Sequence, residues 1–439
     1  MPHSPLATPT RSPGARPSGD RPSGARAVSR CDLLGEVPYS DVPGQLFRPY
    51  LGGGHAATLD RIAAWMAEAG MRARIDPAGN IVGRYEGSMP DAPALLLGSH
   101  VDSVRDAGRY DGMLGVMLGI ETVAHFAERG RRFPFALEVI GFGDEEGSRF
   151  PVSMLCSRAV AGALAGQDMA QDMVDAQGTS LADALGGFGL DLARFSQAAR
   201  RRADVLAYVE AHIEQGPVLE AADRPLGVVS AIAAQYRFQA DVTGVAGHAG
   251  TMAMDLRRDA LAAAAEMVLA IERIGGGGPP DLVATVGRLA VGPGVPNVVP
   301  GTVGFTIDVR AGTHAVRDGA ARAIRAALSE IAARRQVTLD LAQQQDLPAT
   351  PCDPALTGLL EEAVRQATGH APHVLVSGAG HDAMAMARLA PVGMLFLRCA
   401  GGISHNPAEA VDEADADCAL RALTDFVARF AEAHQAGRR

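Results

Sequence analysis

From about Leu33 onward, short apolar runs alternate with amphipathic stretches, the pattern of an α/β protein. Ala94 to Gly98 reads as a buried strand, Met113 to Phe126 as a helix and Phe135 to Phe142 as another strand. Further on, Leu206 to Ile213, Val374 to Ser377 and Val392 to Arg398 are strand-like, and Asp417 to His434 is a closing amphipathic helix. A segment of different rhythm lies between these halves. Gln235 to Val245 predicts a strand, Asp259 to Ile274 an Ala-rich helix, Leu282 to Val291 and Thr302 to Arg310 two strands, Ala315 to Arg334 a helix, and Val337 to Gln344 a strand. The order β-α-β-β-α-β is the ferredoxin-like plan, with Gly275 to Pro280 as its turn. Because the flanks resume the larger pattern, residues 230–345 are expected to be an inserted domain, with residues 31–229 and 346–439 forming the main α/β domain. Residues 1–30, rich in Pro, Gly, Ser and Arg and without a signal-peptide-like apolar core, are expected to be a disordered tail.

Composition narrows the chemistry. All 40 basic side chains are Arg, so Schiff-base, pyridoxal-phosphate and P-loop lysine chemistry are excluded. The net charge of −10 disfavours non-specific attraction to nucleic acid or an anionic membrane surface, and no run approaches the ~18 apolar residues of a spanning helix. Cys31, Cys156, Cys352, Cys399 and Cys418 are odd in number, widely spaced and without a C-x-x-C, as expected of reduced packing residues in a cytoplasmic protein.

Four segments carry candidate chemistry. In LGSHVDSVRDAGRYDG an apolar strand ends in His100 and Asp102, with Asp111 following a glycine-containing loop. Strand ends are where α/β proteins place ligands, and a His and an Asp two apart share one side of a strand, so one can ligate while the other holds it. GFGDEEGSRF clusters Asp144, Glu145 and Glu146 after the second strand, either a cation site or a solvated acidic turn. YVEAHIEQGPVLE places His212 beside Glu210, Glu214 and Gln215, and GGISHNPAEAVDEAD puts His405 in a glycine-rich loop. Each histidine alone is as well explained by a hydrogen-bonded structural role. Together, two or three imidazoles and several carboxylates suit Zn, Mn, Co or Ni, and neither Ca nor an iron–sulfur cluster.

In combination and in order, GSHVDS, RYDG, DEEGSRF, HIEQGPVLE, GHAGT, PNVVPG, SGAGHDA and GGISHNP resemble the M20 metallopeptidase-like amidohydrolases, in the hydantoinase/carbamoylase branch that includes allantoate amidohydrolase, N-carbamoyl-L-amino-acid hydrolase and ureidoglycolate amidohydrolase. The likeness runs from about Leu46 to the C-terminus. It implies a catalytic α/β domain with a mixed central sheet, an inserted lid and dimerisation domain, and a homodimer. It further implies two divalent ions, zinc foremost, with His100 and His212 on one, Glu146 and His405 on the other and Asp111 bridging them. Asp102 would support the ligands and Glu145 would be the general base. His248 would come from the partner subunit to meet the oxyanion, with Asn297 and Arg310 on the substrate carboxylate and Gln215, Ser377, Gly378, Gly380 and His381 lining the pocket. The implied reaction releases ammonia from a small ureido acid, allantoate first, with N-carbamoyl-L-amino acids or ureidoglycolate next and a dipeptide or N-acyl amino acid more remote. Three departures stand out: Ala107 stands where relatives often have Gly, Gly143 where they often have Ala, and TMAM, residues 251–254, replaces the commoner TTPM beside His248.

Overall fold

A computed structural model describes residues 21–164 and 173–436. A nine-stranded mixed sheet forms its larger part, running in the order Arg72–Ile75, Ile81–Tyr85, Ala136–Phe142, Ala94–His100, Val205–Ile213, Val392–Leu397, Leu226–Ile232 and Thr350–Pro351, with His373–Ser377 also paired to Leu226–Ile232. The four central strands, Ala136–Phe142, Ala94–His100, Val205–Ile213 and Val392–Leu397, are mutually parallel. Every residue of Ala94–His100 and of Ala136–Phe142 is buried, because helices and loops cover both faces, and for that reason these strands read as largely apolar runs, Glu138 being the one charged residue inside them. Parallel alignment brings their C-terminal ends to one edge of the sheet, where His100, Asp144 to Glu146 and His212 emerge together.

The second sheet is antiparallel: Leu289–Gly292, Thr302–Ala311, Ala234–Thr243 and Thr338–Leu347 in that order, with Val283–Thr285 also on Thr302–Ala311. Thr302–Ala311 alternates strictly, sending Val303, Phe305, Ile307, Val309 and Ala311 onto the helices Ala260–Gly276 and His314–Arg334, with which they share a core of their own. Side-chain caps start both helices, Asp259 accepting from the Leu261 and Ala262 N–H groups and Thr313 from that of Val316. The β-α-β-β-α-β order expected from the sequence is present. Its second strand, however, is broken: residues 286–288 stand opposite only residues 306–307, and this one-residue excess splits the expected Leu282 to Val291 run in two.

Two expected boundaries move. Leu226–Ile232 belongs to the large sheet and the small sheet begins at Ala234 and ends at Leu347, so the change of sheet falls a few residues later than Ser230 and Gln345. The expected tail of residues 1–30 is also too long. Residues 1–20 lie outside the described residues, but Gly24–Leu34 is a helix capped by Ser23, packed on the helices Met113–Glu128 and Glu413–Ala436. Buried Glu121 draws Arg26 and Arg30 to it, which explains how an Arg-rich stretch is ordered. All five cysteines are free, four of them buried. Among the described residues no helix is long and apolar enough to cross a membrane.

Candidate dimetal site

At the common edge of the parallel strands, side chains distant in sequence converge. His100 Nε2 lies 3.3 Å and His212 Nε2 3.1 Å from Asp111 Oδ1, and the two ring nitrogens are 3.4 Å apart. On the other side His405 Nε2 lies 3.3 Å from both Asp111 Oδ2 and Glu146 Oε1. Two ligands bound at zinc–nitrogen distances in a tetrahedron stand about 3.3–3.4 Å apart. The spacing therefore fits two ion positions, with Asp111 offering one oxygen to each. Asp111 Oδ1 is also buried without a hydrogen-bond partner, as an acceptor reserved for a cation is.

Local structure aims these groups. His212 Nδ1 lies 2.9 Å from the Ile213 carbonyl, a bond that puts its proton on Nδ1 and turns the Nε2 lone pair toward Asp111. His100 Nδ1 faces the Asp102 carbonyl at 3.2 Å. The Asp102 carboxylate accepts from the N–H groups of Glu145 at 3.0 Å and Glu146 at 3.1 Å, pinning the acidic turn to the His100 strand. Gly112 has φ +66, and a Cβ there would lie 2.4 Å from the His100 ring, so glycine is what lets Asp111 approach. Gly143 is required similarly: a Cβ would meet the buried Tyr50 ring at 2.9 Å.

The electrostatics describe a pocket built for positive charge. Burial alone would raise the Asp111 carboxyl, but contact with His100, His212 and His405 holds it well below the usual range. Asp111 and Glu146 in turn push His405 up to about 10. Burial drives Glu145 well above its ordinary value; His100 opposes this, while Glu146, Asp382 and Asp102 add to it. A cation placed among these carboxylates relieves that repulsion.

The other expected residues divide into four groups. Gln215, Arg310 and Gly378 line a cavity of about 590 Å³ between the two sheets. Gln215 Nε2 also donates to Asp111 Oδ2 at 2.7 Å, joining that cavity to the ligand cluster, and Arg310 spans the gap by bonding both Asp308 and the Gly378 carbonyl. Gly380 faces Glu145, whose Oε1 would lie 3.9 Å from a Cβ there. Ser377 and His381 sit elsewhere than expected. Both are buried, hydrogen-bonded to each other at 2.7 Å, with the His381 ring 4.6 Å from that of His212, so they back the ligand from behind and do not line the open pocket. His248 and Asn297 are exposed on a two-stranded ribbon of Gly247–His248 with Val298–Val299, where the Ala249 N–H donates to the Asn297 carbonyl at 2.9 Å. His248 Nδ1 accepts from the Gly250 N–H at 3.1 Å, which leaves its Nε2 to carry a proton outward. Sequence reasoning missed Ser404 and Glu409. Ser404 Oγ donates to Asp111 Oδ2 at 2.6 Å, and buried Glu409 accepts from the Tyr110 and Asp111 N–H groups. Both stand in the GGISHNPAE segment, where nothing in the local sequence marks the serine or the glutamate as partners of Asp111.

Comparison with known proteins agrees with this geometry. Residues 96–429 match the family model described as Peptidase family M20/M25/M40. A probable allantoate deiminase of Oryza sativa subsp. japonica is 42% identical over 434 residues, covering 91% of this chain and 87% of its own. An N-carbamoyl-L-amino acid amidohydrolase of Geobacillus stearothermophilus is 42% identical over 390 residues, covering 88% and 93%. Among solved structures, a hydantoinase/carbamoylase family amidase from Burkholderia ambifaria superposes with a TM-score of 0.84 at 36% identity, covering 93% of this chain and 97% of its own. The chain, which carries residue groups able to hold the family's pair of metal ions, therefore belongs to the peptidase M20/M25/M40 family and is a hydrolase of carbon–nitrogen bonds.

Proposed function

We propose that the chain hydrolyses the terminal ureido C–N bond of a small ureido acid, releasing ammonia and carbon dioxide and leaving an amine-bearing acid. Allantoate is the first choice of substrate, with N-carbamoyl-L-amino acids close behind and ureidoglycolate third; relatives acting on the first two are equally similar to this chain. The observation that carries the reading is a buried carboxylate, Glu145, set beside two ligand groups that share Asp111. Such a group has no use in a protein that only binds metal or ligand.

His100, His212, Asp111, Glu146 and His405 would hold two divalent ions, zinc foremost, which would supply the Lewis acidity that makes water nucleophilic near neutral pH and polarises a carbonyl. Glu145 accepts the attacking water's proton and returns it to the departing nitrogen. His248 presents its Nε2–H to the developing oxyanion. Arg310, held in place by Asp308 and the Gly378 carbonyl, meets the substrate carboxylate with its planar fork, and Asn297 assists. His248 and Asn297 lie at the ribbon of the small domain and, among the described residues, make no hydrogen bond to the ligand cluster; a two-fold dimer that delivers this ribbon to the partner's cleft accounts for their exposure. The small domain then serves as both lid and dimerisation unit, and the enzyme works in the cytoplasm without nucleic-acid or membrane partners. Ammonia release by zinc- or manganese-loaded protein from allantoate, ureidoglycolate and N-carbamoyl amino acids, measured beside amino-acid release from N-acyl amino acids, tests the reading. Turnover confined to the N-acyl compounds overturns it.

A further inference from the structure

We propose that Glu409 is a positioning residue of the dimetal centre: its carboxylate fastens the loop carrying Asp111 to the loop carrying His405, so that the two ion positions form and fail together. Glu409 is 6% exposed, and its Oε1 accepts from the Tyr110 N–H at 2.7 Å and the Asp111 N–H at 3.1 Å, residues nearly 300 positions away in sequence. Without that oxygen two buried N–H groups next to the bridging ligand would have no acceptor, and Asp111 would lose the support on its main-chain side. The fit is close. A Cβ on Gly108 would lie 2.1 Å from the Glu409 carboxyl carbon, so only glycine at that position lets the carboxylate reach in.

Both ends of the clasp are themselves anchored. Tyr110 OH donates to Asp32 Oδ1 at 2.8 Å, tying the first loop to the helix Gly24–Leu34. In the second loop the Glu409 N–H donates to the Asn406 carbonyl at 3.0 Å, and the Asn406 side chain accepts from the Ala408 N–H at 2.9 Å. This tight turn holds His405 at φ +54, a left-handed conformation uncommon outside glycine. Ser404 closes the ring by donating to Asp111 Oδ2. Asp111 and His405 are thus fixed relative to each other through Glu409 on the main-chain side and Ser404 on the side-chain side.

The inference rests on the reading that Asp111 and His405 hold ions, and it is tested by metal retention, not by turnover. Zinc-loaded unmodified protein, Glu409→Ala and Glu409→Gln are titrated with a chelator while bound zinc per subunit is counted, and the thermal unfolding of each metal-free form is recorded in parallel. Glu409→Ala should release both ions together at about 10–100-fold lower chelator. Glu409→Gln, which keeps the accepting oxygen, should stay close to the unmodified protein. Unmodified retention in Glu409→Ala overturns the proposal, as does a Gln variant that falls as far as the Ala variant. A lowered melting temperature of the metal-free form with unchanged zinc retention overturns it too, since that is what a merely structural role produces. Should Glu409→Ala fail to fold, Gly108→Ala, which displaces the carboxylate from outside, must show the same joint loss, and full retention there is refuting. Unmodified protein that takes up no zinc overturns both this proposal and the ligand reading beneath it.

Discussion

The strand-end cluster and the His248 ribbon are opposite kinds of site. The first is assembled within one chain, buried, and braced by bonds from Asp102, Gln215, Ser404, Glu409 and the Ile213 carbonyl. The second is exposed, stands on a two-stranded ribbon, and has its histidine oriented by a single backbone bond from Gly250. Groups that hold ions must be in place before substrate arrives, because rearranging them later would expose buried charge. Groups that recognise substrate must leave a way in, which an exposed ribbon on a separate unit allows. Arg310 is intermediate: it lies on the small sheet yet already touches the catalytic side through Gly378.

The largest effects should follow from breaking the buried side of this contrast. Glu145→Gln is expected to keep its metal while turnover falls by about 10²–10⁴-fold, since it removes a proton acceptor and no ligand. Metal analysis beside an ammonia assay checks both halves, and undiminished activity sinks the assignment. Asp111→Ala should instead lose both ions at once; full retention of one would argue for separate sites.

The exposed side is sharpened by complementation. Equal mixing of inactive His248→Ala and Glu145→Gln subunits, with exchange confirmed, should restore about a quarter of the activity, because half the dimers are mixed and each has one intact site. No recovery places His248 within its own chain's site or outside the reaction.

A smaller change tests the residue between the two regions. Arg310→Lys keeps the charge but loses the fork, so KM for a carboxylate substrate should rise roughly tenfold with kcat less affected. If substrates with and without the carboxylate suffer alike, Arg310 is holding the domains together through Asp308 and Gly378 and is not reading the substrate.

The mildest test concerns acid. His55 is fully buried against Phe188, and burial, aided by Arg48 and Arg149, lowers it from 6.5 to about 3. It stays neutral in the fold but takes up a proton when unfolded. Its contribution is therefore complete above pH 6.5 and declines as pH falls toward 3, by about 1.4 kcal/mol per pH unit. His55→Gln, which can still accept the Leu51 N–H bond, should flatten the fall of melting temperature across that window; an unchanged slope would mean other groups govern it.

Much of the fold was readable because burial leaves a mark on local pattern. Strands covered on both faces, such as Ala94–His100, are apolar for most of their length, and the half-covered strand Thr302–Ala311 alternates. Less was readable where polar or mixed sequence is ordered by distant partners. Gly24–Leu34 looks like tail until Glu121, about 95 residues on, neutralises Arg26 and Arg30. The break at residues 286–288 depends on how two strands count residues against each other, which neither strand encodes alone.

The same division holds at the site. Sequence alone determined which donor atoms are available, since residue type sets them, and the ordered motifs single out His100, Asp111, Glu145, Glu146, His212 and His405 as the expected ligands and base. It could not determine which hydroxyls, amides and carboxylates brace them. Ser377 and His381 stand in a motif as distinctive as the others, yet folding buries them behind His212, while Glu409, unremarkable in sequence, ends beneath Asp111. Donor chemistry is a property of one residue, but support is a property of distance and direction between residues some 300 positions apart, and only the parallel strands that end at one edge bring those residues within bonding range.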